Sequence, residues 1–281
     1  MGLIGAHVST AGGLASAFDR AEAIGCESLQ VFVKSPNQWR GKALSDDDVA
    51  AFRERQAAVG RPVIAHAAYL INLASPKEDI LKASMEGLRD ELSRCARLGL
   101  RGLVLHPGGH LGAGLDAGIE LVARSLDAVL AQPETGQARV LLENTAGQGT
   151  ALGSRFEELA RIIELVDAKD RLGVCLDSCH AFAAGYDVSS PEGYEATLEA
   201  AEAAFGLARV EAVHLNDSKH PLGSRKDRHE NIGLGQIGEG FFARVLADER
   251  LAGLPMVLET PTGDDDQGHA RDMETLRRLR G

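Results

Sequence analysis

Nine residues with metal-binding side chains, His66, His106, Glu143, Asp177, His180, His214, Asp227, His229 and Glu259, recur in a common context along the chain. Six of them close short apolar runs: PVIAH at 62–66, GLVLH at 102–106, VLLE at 140–143, VCLD at 174–177, VEAVH at 210–214 and MVLE at 256–259. Asp177-Ser178-Cys179-His180 adds an imidazole just beyond one run. Asp227-Arg228-His229 puts two more donors on one side of an extended loop. A single histidine at a strand end is more often structural than functional. Six successive runs ending in His, Asp or Glu imply one polar face on which strand ends converge.

A catalytic zinc usually takes three protein ligands and keeps one position open, so nine donors suit three zincs with carboxylates free to bridge. Five of the nine are imidazoles, which favours zinc over the oxygen-seeking magnesium. Closely spaced metals can clamp the entering and leaving oxygens of an in-line displacement, and this suits hydrolysis of a phosphodiester. No G-x-S-x-G elbow offers a covalent serine route. His7, at the end of the first apolar run, reads as a partner of a ligand before a ligand. His110, His220 and His269 read as loop or surface residues. The four cysteines, Cys26, Cys95, Cys175 and Cys179, are too scattered for a disulfide framework. Cys175 shares a strand face with Asp177 and reads as a packing residue.

The elements that must position these donors alternate regularly. Strand-like runs begin near residues 3, 28, 62, 102, 139, 173, 210 and 256. Helical patterns lie between them. Ser75-Pro76-Lys77-Glu78 predicts a helix opened by a capping box, with an apolar stripe from Leu81 to Cys95 and a stop at Gly99. Ser154-Arg155-Phe156-Glu157 predicts another capping box. Ser45 and Ser190 predict two further N-caps. The expected fold class is α/β, a single (β/α)8 TIM barrel over residues 1–281 with the metal site at the C-terminal ends of its strands. A doubly wound sheet would gather ligands at one switch point instead.

No apolar run approaches the ~20 residues that span a bilayer. The start MGLIGAHVS lacks the basic region and apolar core of a secretory signal, so a cytoplasmic protein without membrane contact is expected. The net charge of −11 argues against a general polyanion binder. Any attraction to nucleic acid must come from a local patch and from metals.

Longer segments carry a resemblance. GAHVSTAGG at 5–13, QVFVKSPNQW at 30–39, HAAYLINLASP at 66–76, GVCLDSCHAFAAGYD at 173–187, HLNDSK at 214–219, GSRKDRHENIG at 223–233 and ETP at 259–261 resemble the endonuclease IV family of apurinic/apyrimidinic endonucleases. The likeness runs from the first strand to the last. It implies three zincs per chain, with Mn2+ a possible occupant of one site. By resemblance His66, His106 and Glu143 hold the first zinc, Glu143, Asp177, His214 and Glu259 the second, and His180, Asp227 and His229 the third. Glu143, the implied catalytic residue, bridges the first pair along with the attacking hydroxide.

The implied reaction is hydrolysis of the phosphodiester 5′ to an abasic site in double-stranded DNA, leaving a 3′-hydroxyl and a 5′-deoxyribose phosphate, with trimming of blocked 3′ ends. A monomer without an obligate protein partner is expected. Such enzymes push loop side chains into the base stack. Tyr69 matches one inserted residue, and Gln38 lies beside another. Asn37, shorter and uncharged, stands where many relatives carry Arg, so the resemblance implies either a weaker wedge or one supplied by Gln38 and Trp39. Lys34, Arg40, Lys42, Lys219, Arg225, Lys226 and Arg228 lie on loops of the same face and are expected to track phosphates. The rival is a sugar isomerase or epimerase on a similar barrel. It would need only Glu143, Asp177, His214 and Glu259 for one Mn2+ or Mg2+, and leaves the other five donors without a task.

Overall fold

In the computed structural model, which describes residues 1–281, eight parallel strands form a closed barrel. They are β1 (Leu3–His7), β2 (Ser28–Phe32), β3 (Val63–His66), β4 (Gly102–Leu105), β5 (Arg139–Glu143), β6 (Leu172–Asp177), β7 (Val210–His214) and, after a small two-stranded ribbon of β8 (Asp217–Ser218) and β9 (His229–Glu230), β10 (Pro255–Leu258). Each barrel strand starts within one residue of its apolar run. The ring closes where β1 pairs with β10, Ile4 opposite Met256 and Ala6 opposite Leu258. Gly5 is required at this seam, because a Cβ there would overlap the Ser28 carbonyl of β2.

Helices α1 (Ser16–Ala23), α2 (Asp46–Val59), α3 (Glu78–Leu98), α4 (Leu115–Leu130), α5 (Phe156–Leu165), α6 (Ser178–Ala184), α7 (Pro191–Ala204), α8 (Glu239–Ala247) and α9 (Gly268–Arg280) occupy the connections. None is long and apolar enough to cross a membrane. Ser45 caps α2 in a reciprocal capping box with Asp48, and the Ser190 hydroxyl accepts from Gly193 N at the start of α7. The other two expected boxes do not form. Ser75 instead accepts from Lys77 N, two residues on, which turns the chain so that α3 begins at Glu78. Ser154 lies too far before Phe156 to cap α5; the Glu158 carboxylate reaches back to Gly153 N at 2.6 Å.

The core has two parts. A large cluster fills the space between sheet and helices, with Phe18, Phe52, Leu92 and Phe242 fully enclosed. A second cluster of six residues, Ile64, Val104, Leu141, Cys175, Ala212 and Val257, plugs the barrel itself. Cys175 thus packs inside the barrel, as its strand phase predicts. Every one of these six stands two residues before a candidate ligand: His66, His106, Glu143, Asp177, His214 and Glu259. Side chains two apart on a strand share a face, so the apolar plug is the floor on which the donors sit.

Candidate metal centre

The same register supplies the last two places on that floor. Gly5 and Ser28 precede His7 and Gln30 by two residues, and His7 pairs with Gln30 across β1 and β2. The eight strand ends therefore present His7, Gln30, His66, His106, Glu143, Asp177, His214 and Glu259 around one opening. His180 comes from the first turn of α6, directly above β6. Asp227 comes from the end of the loop between β8 and β9, and His229 is the first residue of β9. The segment that follows β9 is secured by Asp217 of β8, a buried carboxylate that accepts from the backbone N–H groups of Gly233, Gly235 and Ile237 at 3.0, 3.1 and 2.9 Å.

All nine candidate donors meet here, in three groups whose donor atoms lie within 4.8 Å of one another: His66, His106 and Glu143; Glu143, Asp177, His214 and Glu259; and His180, Asp227 and His229. Glu143 joins two of them. Its Oε2 lies 2.8 Å from His106 Nε2 and 3.3 Å from His66 Nε2, while its Oε1 lies 2.9 Å from His214 Nδ1. His214 Nδ1 is 3.2 Å from Glu259 Oε2, and His180 Nε2 is 3.2 Å from Asp227 Oδ1. Ligands about 2.1 Å from a tetrahedral zinc stand roughly 3.4 Å apart, so these spacings fit one ion among each group.

The hydrogen bonds on the far sides of the rings provide a second test of fit. His66 Nδ1 faces the Ala67 carbonyl at 2.7 Å, His180 Nδ1 the Asn144 carbonyl at 3.0 Å, His229 Nδ1 the Glu259 carbonyl at 3.1 Å, and His214 Nε2 the Gln30 Oε1 at 2.9 Å. Each acceptor holds a proton on the outer nitrogen, so the inner nitrogen is the one that offers a lone pair once its own proton is lost to a metal. The carboxylates are oriented in the same way. Asn216 donates to Asp177 Oδ2 at 2.6 Å and accepts from Glu259 N at 2.8 Å, and Gln30 Nε2 donates to Glu259 Oε1 at 2.6 Å.

Burial alone would keep these groups neutral, but their mutual attraction overrules it. Desolvation raises Glu143, yet His106 and His214 hold it well below the usual carboxylate range; Glu259 is lowered likewise against desolvation, chiefly by His214 and His7. Burial opposes charge on His180, but Asp177, Asp227 and Glu143 raise it well above the usual imidazole value. His214 is also raised against burial, beside Cys175, Glu259 and Glu143. The Cys175 thiol is itself pushed up to about 12 by burial and is uncharged near neutrality, so the two carboxylates are the acting charges. Such a concentration of opposed charges in an enclosed space matches the demands of a multivalent cation site.

His7 stands behind the donors. Its Nδ1 lies 3.3 Å from Glu259 Oε1 and 3.0 Å from Gln30 Nε2. A fourth grouping, Asp177, Cys179 and His229, is close enough to share an ion. However, the Cys179 thiol is pushed up to about 12 by burial and donates to the Arg228 carbonyl at 3.6 Å.

The expected DNA-facing residues divide. Asn37, Gln38, Tyr69, Arg225, Lys226 and Arg228 are exposed around the mouth, and the Tyr69 ring stands 5.4 Å from Phe32 and 5.7 Å from His66. A pocket of about 240 Å3 opens beside the donors, lined by residues that include Tyr69, Asn72, His106, Gln148 and Asp227. Arg225 holds a left-handed backbone with φ 54°, and its N–H is bonded to the Ala183 carbonyl. Lys34 corrects its expectation: its side chain is only 2% exposed, and its Nζ lies 3.1 Å from Glu91 Oε1, out of reach of a phosphate. Sequence reasoning missed Gln30 and Asn216, whose carboxamides orient donors, and Asn144, whose backbone carbonyl faces His180. For Gln30 a signal existed, a lone polar residue inside the apolar run SLQVF.

The fold and the donor groups together define a class. Residues 18–279 match the family model described as xylose isomerase-like TIM barrel. A probable endonuclease 4 of Nitratidesulfovibrio vulgaris is 49% identical over 281 residues, with 100% of each chain covered. Another, of Chloroflexus aurantiacus, is 47% identical over 276 residues, with 98% of this chain and 97% of that one covered. The crystal structure of endonuclease IV from Thermus thermophilus superposes with a TM-score of 0.86 at 40% identity, covering 99% of this chain and 98% of that one. The chain belongs to the endonuclease IV family.

Proposed function

We propose that this chain is a zinc-dependent abasic-site endonuclease of base excision repair, acting as one catalytic domain over residues 1–281 and as a cytoplasmic monomer. It hydrolyses the phosphodiester 5′ to an abasic site in duplex DNA, leaving a 3′-hydroxyl and a 5′-deoxyribose phosphate, and trims blocked 3′ ends. The observation that carries this reading is the single carboxylate of Glu143 shared between two donor groups, with a third group one imidazole away.

His66, His106 and Glu143 would hold one zinc, Glu143, Asp177, His214 and Glu259 a second, and His180, Asp227 and His229 a third, with Mn2+ able to replace one. Bound there, the ions supply Lewis-acid activation of water and neutralise charge growing on phosphate oxygens. Glu143 sets the spacing of the first two groups by offering one oxygen to each. The carbonyls and the Gln30 carboxamide behind the rings keep the inner nitrogens turned to the centre, so the rings need no reorientation. Tyr69 and Gln38 stack into the gap left by the lesion, and the pocket beside His106 takes the extruded abasic nucleotide. Arg225, Lys226 and Arg228 hold flanking phosphates and give salt-sensitive binding despite the acidic total. A sugar isomerase using one ion has no task for His66, His106, His180, Asp227 and His229.

Incision of a labelled duplex with one tetrahydrofuran abasic analogue, without added metal, tests this directly when paired with metal analysis of the same protein. Tetrahydrofuran cannot undergo β-elimination, so a nick on its 5′ side requires hydrolysis. About three zincs per chain and such a nick are expected. No nick and a single Mn2+ or Mg2+ would favour sugar chemistry.

A further inference from the structure

Lys34 and Glu91 form an ion pair that the proposed reaction does not use, enclosed at 2% and 1% side-chain exposure. The ammonium makes three bonds: to Glu91 Oε1 at 3.1 Å, and to the carbonyls of Gln38 and Trp39 at 3.2 and 2.7 Å. An ammonium has three protons, so its donors are saturated. The Glu91 carboxylate also accepts from the Ala68 N–H, at 3.2 Å to Oε2. One buried pair thus ties the backbone of Gln38 and Trp39, after β2, to the residue preceding Tyr69, after β3.

Glu91 belongs to a series along α3 that secures the first of these loops. Trp39 packs towards the helix at Gly87, where an added Cβ would stand 3.7 Å from the indole Cε3. Arg94 donates to the Lys42 carbonyl at 2.8 Å, and Arg97 to the Leu44 carbonyl at 2.7 Å. These residues recur at helical spacing and present one face to the loop. Arg94 and Arg97 hold only the 42–44 segment, and Ser84 holds only the far side of the Tyr69 loop, accepting from Asn72 N at 2.9 Å, whereas the Lys34–Glu91 pair joins the Gln38–Trp39 backbone to that of Ala68.

We infer that the Lys34–Glu91 pair is a positioning device that presets the distance between Gln38 and Tyr69, the two side chains that probe damaged DNA. This rests on the proposed reading of the mouth as a DNA-lesion site. Ionic bonds buried in protein have few alternative geometries, so the pair holds the loops in place before DNA arrives. The affinity gain is then confined to lesions that accept both side chains. A lysine on phosphate would instead strengthen binding to any duplex.

The test is the double substitution Lys34→Met with Glu91→Leu, which removes both charges together and leaves no uncompensated ion in the interior. Trp39 is the only tryptophan of the chain, so its fluorescence reports loop order without DNA. Acrylamide quenching of Trp39 is expected to rise. The Kd for a tetrahydrofuran duplex is expected to rise about tenfold, as for one lost stacking contact. Zinc content, affinity for undamaged duplex and the salt dependence of binding should stay at parental values. Unchanged quenching, or unchanged lesion affinity, overturns the inference. Equal loss on damaged and undamaged DNA, with a salt slope reduced by about one, would restore Lys34 as a phosphate contact. A parent protein that binds both duplexes alike would overturn the lesion-site reading itself, whatever the quenching shows.

Discussion

Gln30 Oε1 lies 2.9 Å from His214 Nε2, so the opposite nitrogen of this fully buried imidazole, Nδ1, is the one turned to Glu143 and Glu259. The same amide donates to Glu259 Oε1 at 2.6 Å, which leaves Oε2 for the centre. A single neutral side chain therefore orients two donors of one group. Replacing it by leucine should weaken metal binding at that group about 10–100-fold. Competition with a chelator would show one ion leaving early; retention equal to the parent would remove this role from Gln30.

Glu143 is fully buried, yet its side chain faces the donors and not the apolar plug beneath. Glu143→Ala should therefore reduce incision by at least about 1,000-fold while the barrel stays folded. Circular dichroism and a turnover assay on the same preparation would check both halves. Near-normal turnover would contradict the bridging role.

The charges of the centre predict a linkage to pH. Neighbouring carboxylates raise His66, His180 and His214 above the usual 6.5 in the metal-free protein, against burial in each case. Their contribution to stability is complete below 6.5 and fades as pH rises through the raised values. Glu143, Glu259 and Asp227 are depressed despite burial, so theirs is complete above 4.5 and is lost as pH falls through the lowered values. His7, lowered by burial, opposes the set as one group. Chelator-stripped protein should melt highest between about pH 4.5 and 6.5 with respect to these groups. Because ligands must be deprotonated, zinc uptake at pH 7 should release about one proton or more. Calorimetry in buffers of different ionisation enthalpy reads this number, and a value of zero would contradict the protonated imidazoles.

Tyr69 is 66% exposed although its ring touches the centre through Phe32 and His66. An aromatic left in water beside a polar mouth gains most when a base covers it. Tyr69→Ala should weaken binding of a tetrahydrofuran duplex about tenfold or more without loss of zinc. A parallel fall in metal content would show that the ring supports the donors instead.

By itself the sequence determined the floor and the donors above it. A strand repeats every two residues, so a polar residue two places after a buried apolar one must rise on the same face, and this local rule held for His66, His106, Glu143, Asp177, His214 and Glu259. It also placed Cys175 in the plug. Tertiary structure alone decided the rest, because the deciding contacts join distant segments. Lys34 has the composition of a phosphate contact, but only the packing of α3 brings Glu91 to it from far along the chain and buries the pair. Gln30 looks like an irregularity in a strand until closure of the barrel sets it against His214 and Glu259. Ser75 and Ser154 fit a capping motif, yet the loops arriving from the barrel set where α3 and α5 begin. Periodicity is a property of neighbours in sequence, whereas burial and partner choice depend on which segments the closed barrel brings together.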